Sequence, residues 1–353
     1  MRRSLLGLLA ALLAGLSLAP SAQAETVVRV GWCARTVSSA AAPFAIATKM
    51  GWFQQAGFTV ELAPLPGSTD CVKFVGTGEL PYSLPSVEPL ASLRPQGVKA
   101  KVFYTAYQGN IYGPAVPTES PIKTLADLKG KRIGVQAMAS AGVPVIRAIA
   151  ASQGLNPDTD ISIIVVGEGA QAAALVRSNQ VDALSLYDVQ YALIENAGAP
   201  LRRIPAPQID RFPSNGFIAL DDTLAKNRAQ AVALAQGYAK GTIFAIANPE
   251  AAVRILWEVF PQTKPTGKDE KTALQDDMRA LSARIGNWKL EKAGVTHWGE
   301  NSIANYDAYL DFLVKWDVIK QKPNVNDIVT NDLLAEIDKF DPAEVEAQAK
   351  AYK

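Results

Sequence analysis

Residues 26–62 read TVVRVGWCARTVSSAAAPFAIATKMGWFQQAGFTVEL, and the order of patterns in this stretch indicates the fold class. Thr26 to Gly31 form a short apolar strand, and apolar residues then recur at helical spacing between Pro43 and Gln55. Gly57 ends that helix, and residues 58–62 alternate as a second strand. A strand, a helix and a second strand in succession favour a parallel sheet and therefore an α/β fold.

The same order of patterns restarts further along the chain. A helical turn at residues 124–130 leads into a strand at 131–135, as if a second unit of like architecture began there. The other predicted strands lie at residues 80–84, 101–107, 161–166, 181–186 and 215–220. The predicted helices lie at residues 70–77, 143–153, 170–179, 222–247, 249–260, 268–285, 301–315 and 331–340. The last third of the chain is therefore expected to be helical.

The length of the chain predicts two lobes, because 353 residues exceed what one hydrophobic core usually organises. The chain is expected to cross between the lobes near residues 108–114 and again near 207–215, where glycine and proline supply turn chemistry. The predicted division is residues 25–110 for the first part of lobe 1, 111–212 for lobe 2, and 213–353 for the remainder of lobe 1 with the C-terminal helices.

The first residues indicate export. Arg2 and Arg3 precede an apolar run from Leu5 to Leu18, and Ala22-Gln23-Ala24 supplies the small residues that a signal peptidase requires. We therefore predict a signal peptide over residues 1–24 and a mature protein free in the periplasm. The net charge of +1 lacks the basic excess expected of a protein that binds nucleic acid or an anionic membrane.

Three strings resemble a known family. KMGWFQQAGFTVE at residues 49–61 is similar to the opening of the nitrate/sulfonate/taurine-type periplasmic binding proteins, and LADLKGKRIGV at 125–135 is typical of the start of their second lobe. NQVDA at 179–183 resembles their later G-x-V-D-A string, with Asn179 in place of the glycine. The resemblance runs from about residue 27 to residue 220.

The resemblance implies a type II periplasmic binding protein fold, in which two lobes of mostly parallel sheet and flanking helices hold a small-molecule ligand between them. It also implies an ABC transporter permease and ATPase as partners. The chain has no G-x-x-x-x-G-K-[ST] loop of its own, so any ATP hydrolysis is expected to belong to a partner. The expected ligand is a small organic ion such as a sulfonate, taurine, nitrate or a carboxylate. Relatives that bind a thiamine-precursor pyrimidine keep an aminopyrimidine or aromatic ligand open, and a periplasmic sensor with the same fold is a further alternative. A monomer is expected.

The candidate site follows from where ligands bind in open α/β sheets, which is beyond the carboxyl ends of the strands. Free N–H groups at helix starts and nearby hydroxyls favour an anion there, although capping a helix is the commoner task of such residues. The candidates for an anion cradle are Arg35, Ser38, Ser39, Ser68, Thr69, Ser86 and Ser140, with Met138 and Ala141 in the same loop as Ser140.

Two further sets of side chains follow the predicted strands. Aromatic residues that could stack on a flat ligand are Trp32, Tyr82, Tyr107, Tyr112 and Tyr187, with ordinary core packing as the alternative. The carboxylates Asp70, Glu88 and Asp188 could bind an ammonium or aminopyrimidine group, or could simply cap helices.

The remaining chemistry favours binding over catalysis. Cys33 and Cys71 both lie just past predicted strands and form a candidate disulfide in an exported protein, with two separate buried thiols as the alternative. His297 is the single histidine, there is no Cys/His spacing typical of a metal site, and there is no G-x-S-x-G motif. The fungal pyrimidine synthases that share this fold need a Cys-rich motif and a donor histidine, which this sequence lacks. We therefore expect no enzyme activity, no metal and no cofactor.

Overall fold

A computed structural model describes residues 26–353. The predicted signal peptide lies outside the described residues. Within residues 26–353, no helix has both the length and the apolar character needed to cross a bilayer.

Ten strands form two five-stranded sheets in the described part of the chain. The strands are β1 (Thr26–Trp32), β2 (Phe58–Pro64), β3 (Tyr82–Ser83), β4 (Ala100–Thr105), β5 (Tyr112–Pro117), β6 (Lys131–Val135), β7 (Ile161–Val165), β8 (Ala183–Tyr187), β9 (Leu201–Arg203) and β10 (Gly216–Leu220). The first sheet has the order β2-β1-β3-β10-β4, and the second has the order β7-β6-β8-β5-β9.

The two sheets repeat one pattern of pairing. In the first sheet β1 is parallel to β2 and β3, whereas β10 is antiparallel to β3 and β4. In the second sheet β6 is parallel to β7 and β8, whereas β5 is antiparallel to β8 and β9. The antiparallel strands β5 and β10 are the ones that the chain enters after crossing from the other sheet, so each sheet is mixed. The predicted α/β fold of two similar lobes is confirmed.

Helices cover both sheets and make up most of the last third of the chain. They are α1 (Ala42–Lys49), α2 (Ser68–Gly76), α3 (Val87–Leu93), α4 (Gly142–Ser152), α5 (Gly169–Arg177), α6 (Asp188–Asn196), α7 (Asp221–Lys226), α8 (Arg228–Ala247), α9 (Pro249–Val259), α10 (Glu270–Trp288), α11 (Ile303–Lys315), α12 (Leu334–Ile337) and α13 (Pro342–Ala351). Helix α10 packs against α6, which follows the second sheet, and against α9, which packs on α1. This helix therefore connects the two halves of the fold.

An aromatic cluster anchors the helices on the first sheet. The ring centroids of Phe44 and Phe217 lie 5.8 Å apart, and those of Phe217 and Tyr238 lie 5.1 Å apart, both in edge-to-face arrangements. All three rings are fully buried. Because such pairs contribute roughly 0.5–1.5 kcal/mol beyond the burial of their area, they hold α1 and α8 firmly on β10.

Several predicted elements have different bounds in the structure. The helix predicted to reach Gln55 ends at Lys49, because Gly51 adopts a φ of +72°, which a helix cannot continue through. Residues 222–247 form two helices that divide at Asn227, and the helix predicted over 331–340 is reduced to α12. Strands β5 and β9 were not predicted. For β5 the reason is that the two prolines in its sequence YGPAVP indicate a turn.

Candidate functional site

The carboxyl ends of the parallel strands in the two sheets face each other. The loop after β2 meets the loop after β6, where the Thr69 backbone N–H donates to the carbonyl oxygen of Ala139 at 3.0 Å. Gly67 lies in the same contact, and a Cβ placed there would come within 2.5 Å of that carbonyl oxygen. The two halves of the fold are therefore in direct backbone contact in this structure.

A carboxylate forms a second bridge across the cleft. Glu168, between β7 and α5, accepts hydrogen bonds from the backbone N–H of Arg35 at 2.9 Å and of Thr36 at 3.2 Å, and from the Thr36 hydroxyl. On its own side of the cleft, Gln136 donates to the same carboxylate from Nε2 at 2.6 Å. Glu168 thus binds the loop after β1 and is itself held in place.

Between these bridges and α10 lies a cavity of about 30 Å³. At this size the cavity holds no more than a few water molecules. Residues from both halves line it, and they are Trp32, Cys33, Ala34, Ala40, Leu84, Tyr107, Ile111, Tyr112, Tyr187, Asn215 and Arg284. The cleft is therefore closed in this structure, and a larger solute enters only when the halves separate.

Four aromatic side chains dominate the lining. The rings of Tyr112 and Tyr187 meet edge to face with centroids 5.9 Å apart, and the Trp32 indole Nε1 is fixed by the carbonyl oxygen of Thr36 at 2.8 Å. Burial raises the pKa of Tyr107 and, more strongly, of Tyr187, so both hydroxyls stay protonated at neutral pH. The lining offers flat apolar faces with hydroxyl groups at their edges.

One buried ion pair lies at the cavity. The Arg284 side chain, 2% exposed, donates to Asp188 from Nε at 2.9 and 3.1 Å and from Nη2 at 2.7 Å. The guanidinium carbon also lies 4.0 Å from the ring centroid of Tyr107. Burial lowers the pKa of Arg284, but the charge and hydrogen bonds of Asp188, together with the nearby Tyr107 and Tyr238, outweigh burial and hold that pKa above its ordinary value.

The Asp188 carboxylate cannot accept a further hydrogen bond in this arrangement. Besides Arg284, it accepts from Asn287 Nδ2 at 2.9 Å and from the Val189 backbone N–H at 2.7 Å. These donors occupy both carboxylate oxygens. Asp188 therefore orients Arg284 and is not itself open to a ligand in the closed cleft.

Further buried polar atoms beside the cleft have no partner within residues 26–353. They are Ser39 Oγ, Ser86 Oγ, Glu88 Oε2 and Gln108 Oε1. The other oxygen of Glu88 accepts from the Tyr309 hydroxyl, and burial raises the pKa of Glu88. Because unpartnered buried polar atoms are costly, they commonly mark a place where water or a ligand binds.

The structure places the predicted residues in three groups. Trp32, Tyr107 and Tyr187 line the cavity, as does Tyr112. Seven predicted residues are buried without lining the cavity, and they are Ser39, Ser68, Ser86, Glu88, Ser140, Ala141 and Asp188. The Tyr82 ring is buried within the first sheet. Ser38, Thr69 and Asp70 are half-buried, while Arg35 and Met138 are exposed.

In the predicted anion cradle, backbone N–H groups are bound to protein acceptors, whereas the hydroxyl groups accept hydrogen bonds or have no partner in the described chain. Ser68 Oγ accepts from the Ser86 N–H at 3.2 Å, and Ser140 Oγ accepts from the Gly142 N–H at 3.2 Å. The N–H groups of Arg35, Thr36 and Thr69 are taken by Glu168 and Ala139 as described. The role of these residues in ligand binding stays a prediction, and in the closed cleft the N–H groups of Arg35, Thr36 and Thr69 join the two halves.

Sequence reasoning missed Arg284, Asn215 and Glu168. A signal for Arg284 is present, because Asp277, Leu281, Arg284 and Trp288 recur at the helical spacing of a buried face. A charged residue in such a stripe indicates a buried ion pair or a site. Glu168 lies in a loop and Asn215 directly before β10, and no periodic pattern distinguishes either residue.

The predicted disulfide is confirmed. Cys33 and Cys71 are bonded, with Cα atoms 5.8 Å apart, and the bond joins the loop after β1 to α2. It fixes one wall of the cavity, since Cys33 is among the lining residues.

A larger groove of about 670 Å³ lies on the surface beside α11, lined by residues that include Arg211, Phe312 and Trp316. It is away from the carboxyl ends of the strands. None of the unpartnered buried side-chain atoms found within residues 26–353 belongs to its lining. The interlobe cavity is therefore the stronger candidate site.

Together, the paired mixed sheets and the cavity between them define a bilobal α/β protein with a central cleft. The sequence pattern of the NMT1/THI5-like family matches residues 38–252, which is more than half of the chain. The chain belongs to this family.

Known proteins with similar sequences or structures agree with this assignment. A relative in Brucella abortus (strain 2308), whose name says only that it is a presumed binding protein, is 27% identical over 237 residues, 65% of this chain and 70% of the relative. The alkanesulfonate-binding protein SsuA from Xanthomonas axonopodis pv. citri, bound to MOPS, superposes with a TM-score of 0.66 at 17% identity, covering 86% of this chain and 98% of SsuA. The ligand-binding component of an ABC-type import system from Staphylococcus aureus gives a TM-score of 0.62 at 15% identity, covering 90% of this chain and all of that one.

An enzyme shares the fold as well. The desulfurization enzyme DszB superposes with a TM-score of 0.54 at 15% identity, covering 88% of this chain and 98% of DszB. At these identities the structural comparisons establish the fold, and the function has to be argued from the site.

Proposed function

We propose that this protein captures a small organic solute in the cleft between its lobes, in the periplasm, and delivers it as a monomer to the permease of an ABC-type importer. The observation that carries the proposal is the closed cavity lined from both halves. A solute held there contacts both halves, and because the closed cavity is too small for it, the halves must separate to admit it and then close around it. A permease can then distinguish a loaded protein from an empty one by its shape.

The chemistry at the cavity supports binding over catalysis. Cys33 is the one cysteine in the lining, and its disulfide with Cys71 removes the thiol as a nucleophile. His297 lies away from the lining, half-exposed and paired with Asp338. The cavity therefore presents aromatic faces and an ion pair, without a nucleophile next to a general base.

Two classes of solute were predicted, an organic anion and an aminopyrimidine or aromatic compound. The aromatic lining favours the second class, because Trp32, Tyr107, Tyr112 and Tyr187 offer several flat faces to one ligand. The N–H groups of Arg35, Thr36 and Thr69 are bound to protein acceptors, which weakens the case for the first class.

A thermal-shift screen tests the proposal. Alkanesulfonates, taurine, nitrate, aromatic carboxylates and aminopyrimidines are compared, since a solute that binds only the folded state stabilises it by about 2.7 kcal/mol at one hundred times its Kd. We expect at least one class to raise the Tm of the wild-type protein.

Two aromatic substitutions locate the site. Tyr187→Ala removes a ring from the cavity and is expected to abolish the shift, whereas Trp316→Ala removes a ring from the surface groove and leaves the shift intact. The opposite pattern, or a screen in which no solute raises the Tm, contradicts the proposal.

A further inference from the structure

Arg284 retains hydrogen-bonding capacity that the protein does not use. Its Nε and Nη2 atoms bind Asp188, but Nη1 makes no hydrogen bond with any residue of the described chain. The side chain is 98% buried and lines the cavity. Apart from the contact of the guanidinium with Tyr107, the N–H donors of Nη1 are therefore available to whatever occupies the cavity.

The charge of Arg284 is already matched. Among the residues that line the cavity in the described part of the chain, only Arg284 is charged. Asp188, which is not part of the lining, neutralises that charge through the ion pair. An anion bound to Nη1 would leave the closed site with one uncompensated negative charge, which a buried site tolerates poorly. An uncharged acceptor leaves the pair balanced.

The position of the guanidinium restricts the shape of the ligand. The guanidinium carbon lies 4.0 Å from the centroid of the Tyr107 ring, and Tyr112 and Tyr187 belong to the same lining. A group that reaches Nη1 therefore lies among aromatic faces. Because the closed cavity of about 30 Å³ is too small for a ring, the halves must lie further apart around a ligand, and a flat molecule requires the smallest separation.

Resting on the proposed function, we infer that Arg284 is the ligand-recognising residue, and that the ligand is a flat, uncharged aromatic or heteroaromatic molecule that offers a carbonyl-type acceptor to Nη1. Asp188 is the positioning residue, and its carboxylate selects against anionic ligands. The specificity of the cleft then depends on a residue of α10, a helix in the last third of the chain.

Matched pairs of probes separate charge from shape. Benzamide and benzoate have nearly the same size and outline, as do nicotinamide and nicotinate, but only the acids are anions. Isothermal titration calorimetry on the full-length mature protein is expected to show each amide binding about tenfold more tightly than its acid, because the acid brings an uncompensated negative charge into the closed site.

The substitution Asp188→Asn leaves Arg284 uncompensated, so the preference is expected to move at least tenfold toward the acids. Because a single unpaired buried charge can impair folding, the double variant Asp188→Asn with Arg284→Met removes both charges together. This variant is expected to fold and to lose the preference between amide and acid. Arg279→Met, an exposed arginine on the same helix, is the matched control and leaves both affinities unchanged.

Each outcome bears on the inference. Tighter binding of the acids by the wild-type protein, or a ratio that Asp188→Asn does not move, overturns it. If no pair binds while another solute of the wider screen does, the assigned ligand class is wrong and solute capture stands. If no solute binds in the thermal-shift screen or in the titrations, both the inference and the proposed function are wrong.

Discussion

Glu168 shows how a single side chain can set the balance between an open and a closed cleft. Its carboxylate accepts two backbone N–H groups and a hydroxyl from the loop after β1, on the other half of the fold. Hydrogen bonds to a charged acceptor contribute more than neutral ones, although partial exposure reduces the gain. The closed state is therefore favoured by contacts that the ligand does not make.

Glu168→Gln replaces one acceptor oxygen by an amide donor that faces the N–H groups of Arg35 and Thr36. We expect ligand affinity to fall about tenfold, a change of about 1.4 kcal/mol, with little change in the free energy of unfolding. Titration calorimetry measures the first quantity and urea unfolding the second. Glu119→Gln makes the same charge change at an exposed position without a hydrogen bond in the structure, and equal affinities for the two variants would contradict the role of Glu168.

The disulfide acts on the unfolded chain. Cys33 and Cys71 close a loop across a sequence separation of 38 residues, and such a link removes conformational entropy from the unfolded state. The pair Cys33→Ala and Cys71→Ala is expected to lower the free energy of unfolding by about 3–4 kcal/mol. Urea unfolding without reductant measures the difference. Reductant should destabilise the wild-type protein and leave the variant unaffected, and a variant as stable as the wild type would argue against a structural disulfide.

At the scale of elements, α10 carries two charged groups on its buried face. Arg284 is paired with Asp188, whereas Asp277 has the Trp257 indole as a donor at 2.7 Å. Burial raises the pKa of Asp277 to about 6, although the Trp257 hydrogen bond opposes the shift. The protonated form of Asp277 is therefore the one that the folded protein prefers.

The sign of the pH effect follows from this preference. The stabilising contribution of the protonated form is complete below the ordinary pKa of 3.8 and is lost as pH rises through about 6. Relative to the neutral variant Asp277→Asn, the wild-type protein should lose about 2–3 kcal/mol of stability between pH 4 and pH 7. Urea unfolding at several pH values tests this, with Asp210→Asn as an exposed control. A difference between wild type and Asp277→Asn that stays constant with pH would show that Asp277 does not titrate in this range.

The elements also show what the sequence could and could not predict. Periodic stretches such as residues 26–31 and 58–62 identified the parallel strands, because strand and helix patterns depend on local burial. Strand β5 was missed because its prolines are tolerated only through the pairing that β8 and β9 provide, which no local pattern reveals. The aromatic residues of the cavity were predicted from their place after the strands. Arg284 was missed because it comes from a helix far along the chain.

At the scale of the whole molecule, closure depends on the close approach of two backbones. Gly67 follows the first sheet, and a Cβ there would lie 2.5 Å from the Ala139 carbonyl oxygen and 2.7 Å from the Ser140 nitrogen. These are backbone atoms, which cannot turn aside as a flexible side chain can. The φ of Gly67 is 173°, extended backbone that any residue adopts, so the need for glycine arises only when the halves meet.

The substitution Gly67→Ala is therefore expected to impair closure of the cleft without impairing folding of the protein. The added methyl group should leave the separate lobes unstrained and prevent the loop after β2 from reaching the loop after β6. We expect the Tm of the free protein to change little, ligand affinity to fall at least tenfold, and small-angle scattering with ligand to give a larger radius of gyration than the closed wild type. Gly286→Ala adds the same group on α10 where nothing lies within 4 Å, and it should close normally. If Gly67→Ala binds and compacts like the wild type, closure does not bring these backbones together, and the cleft must work with its halves further apart than this structure places them.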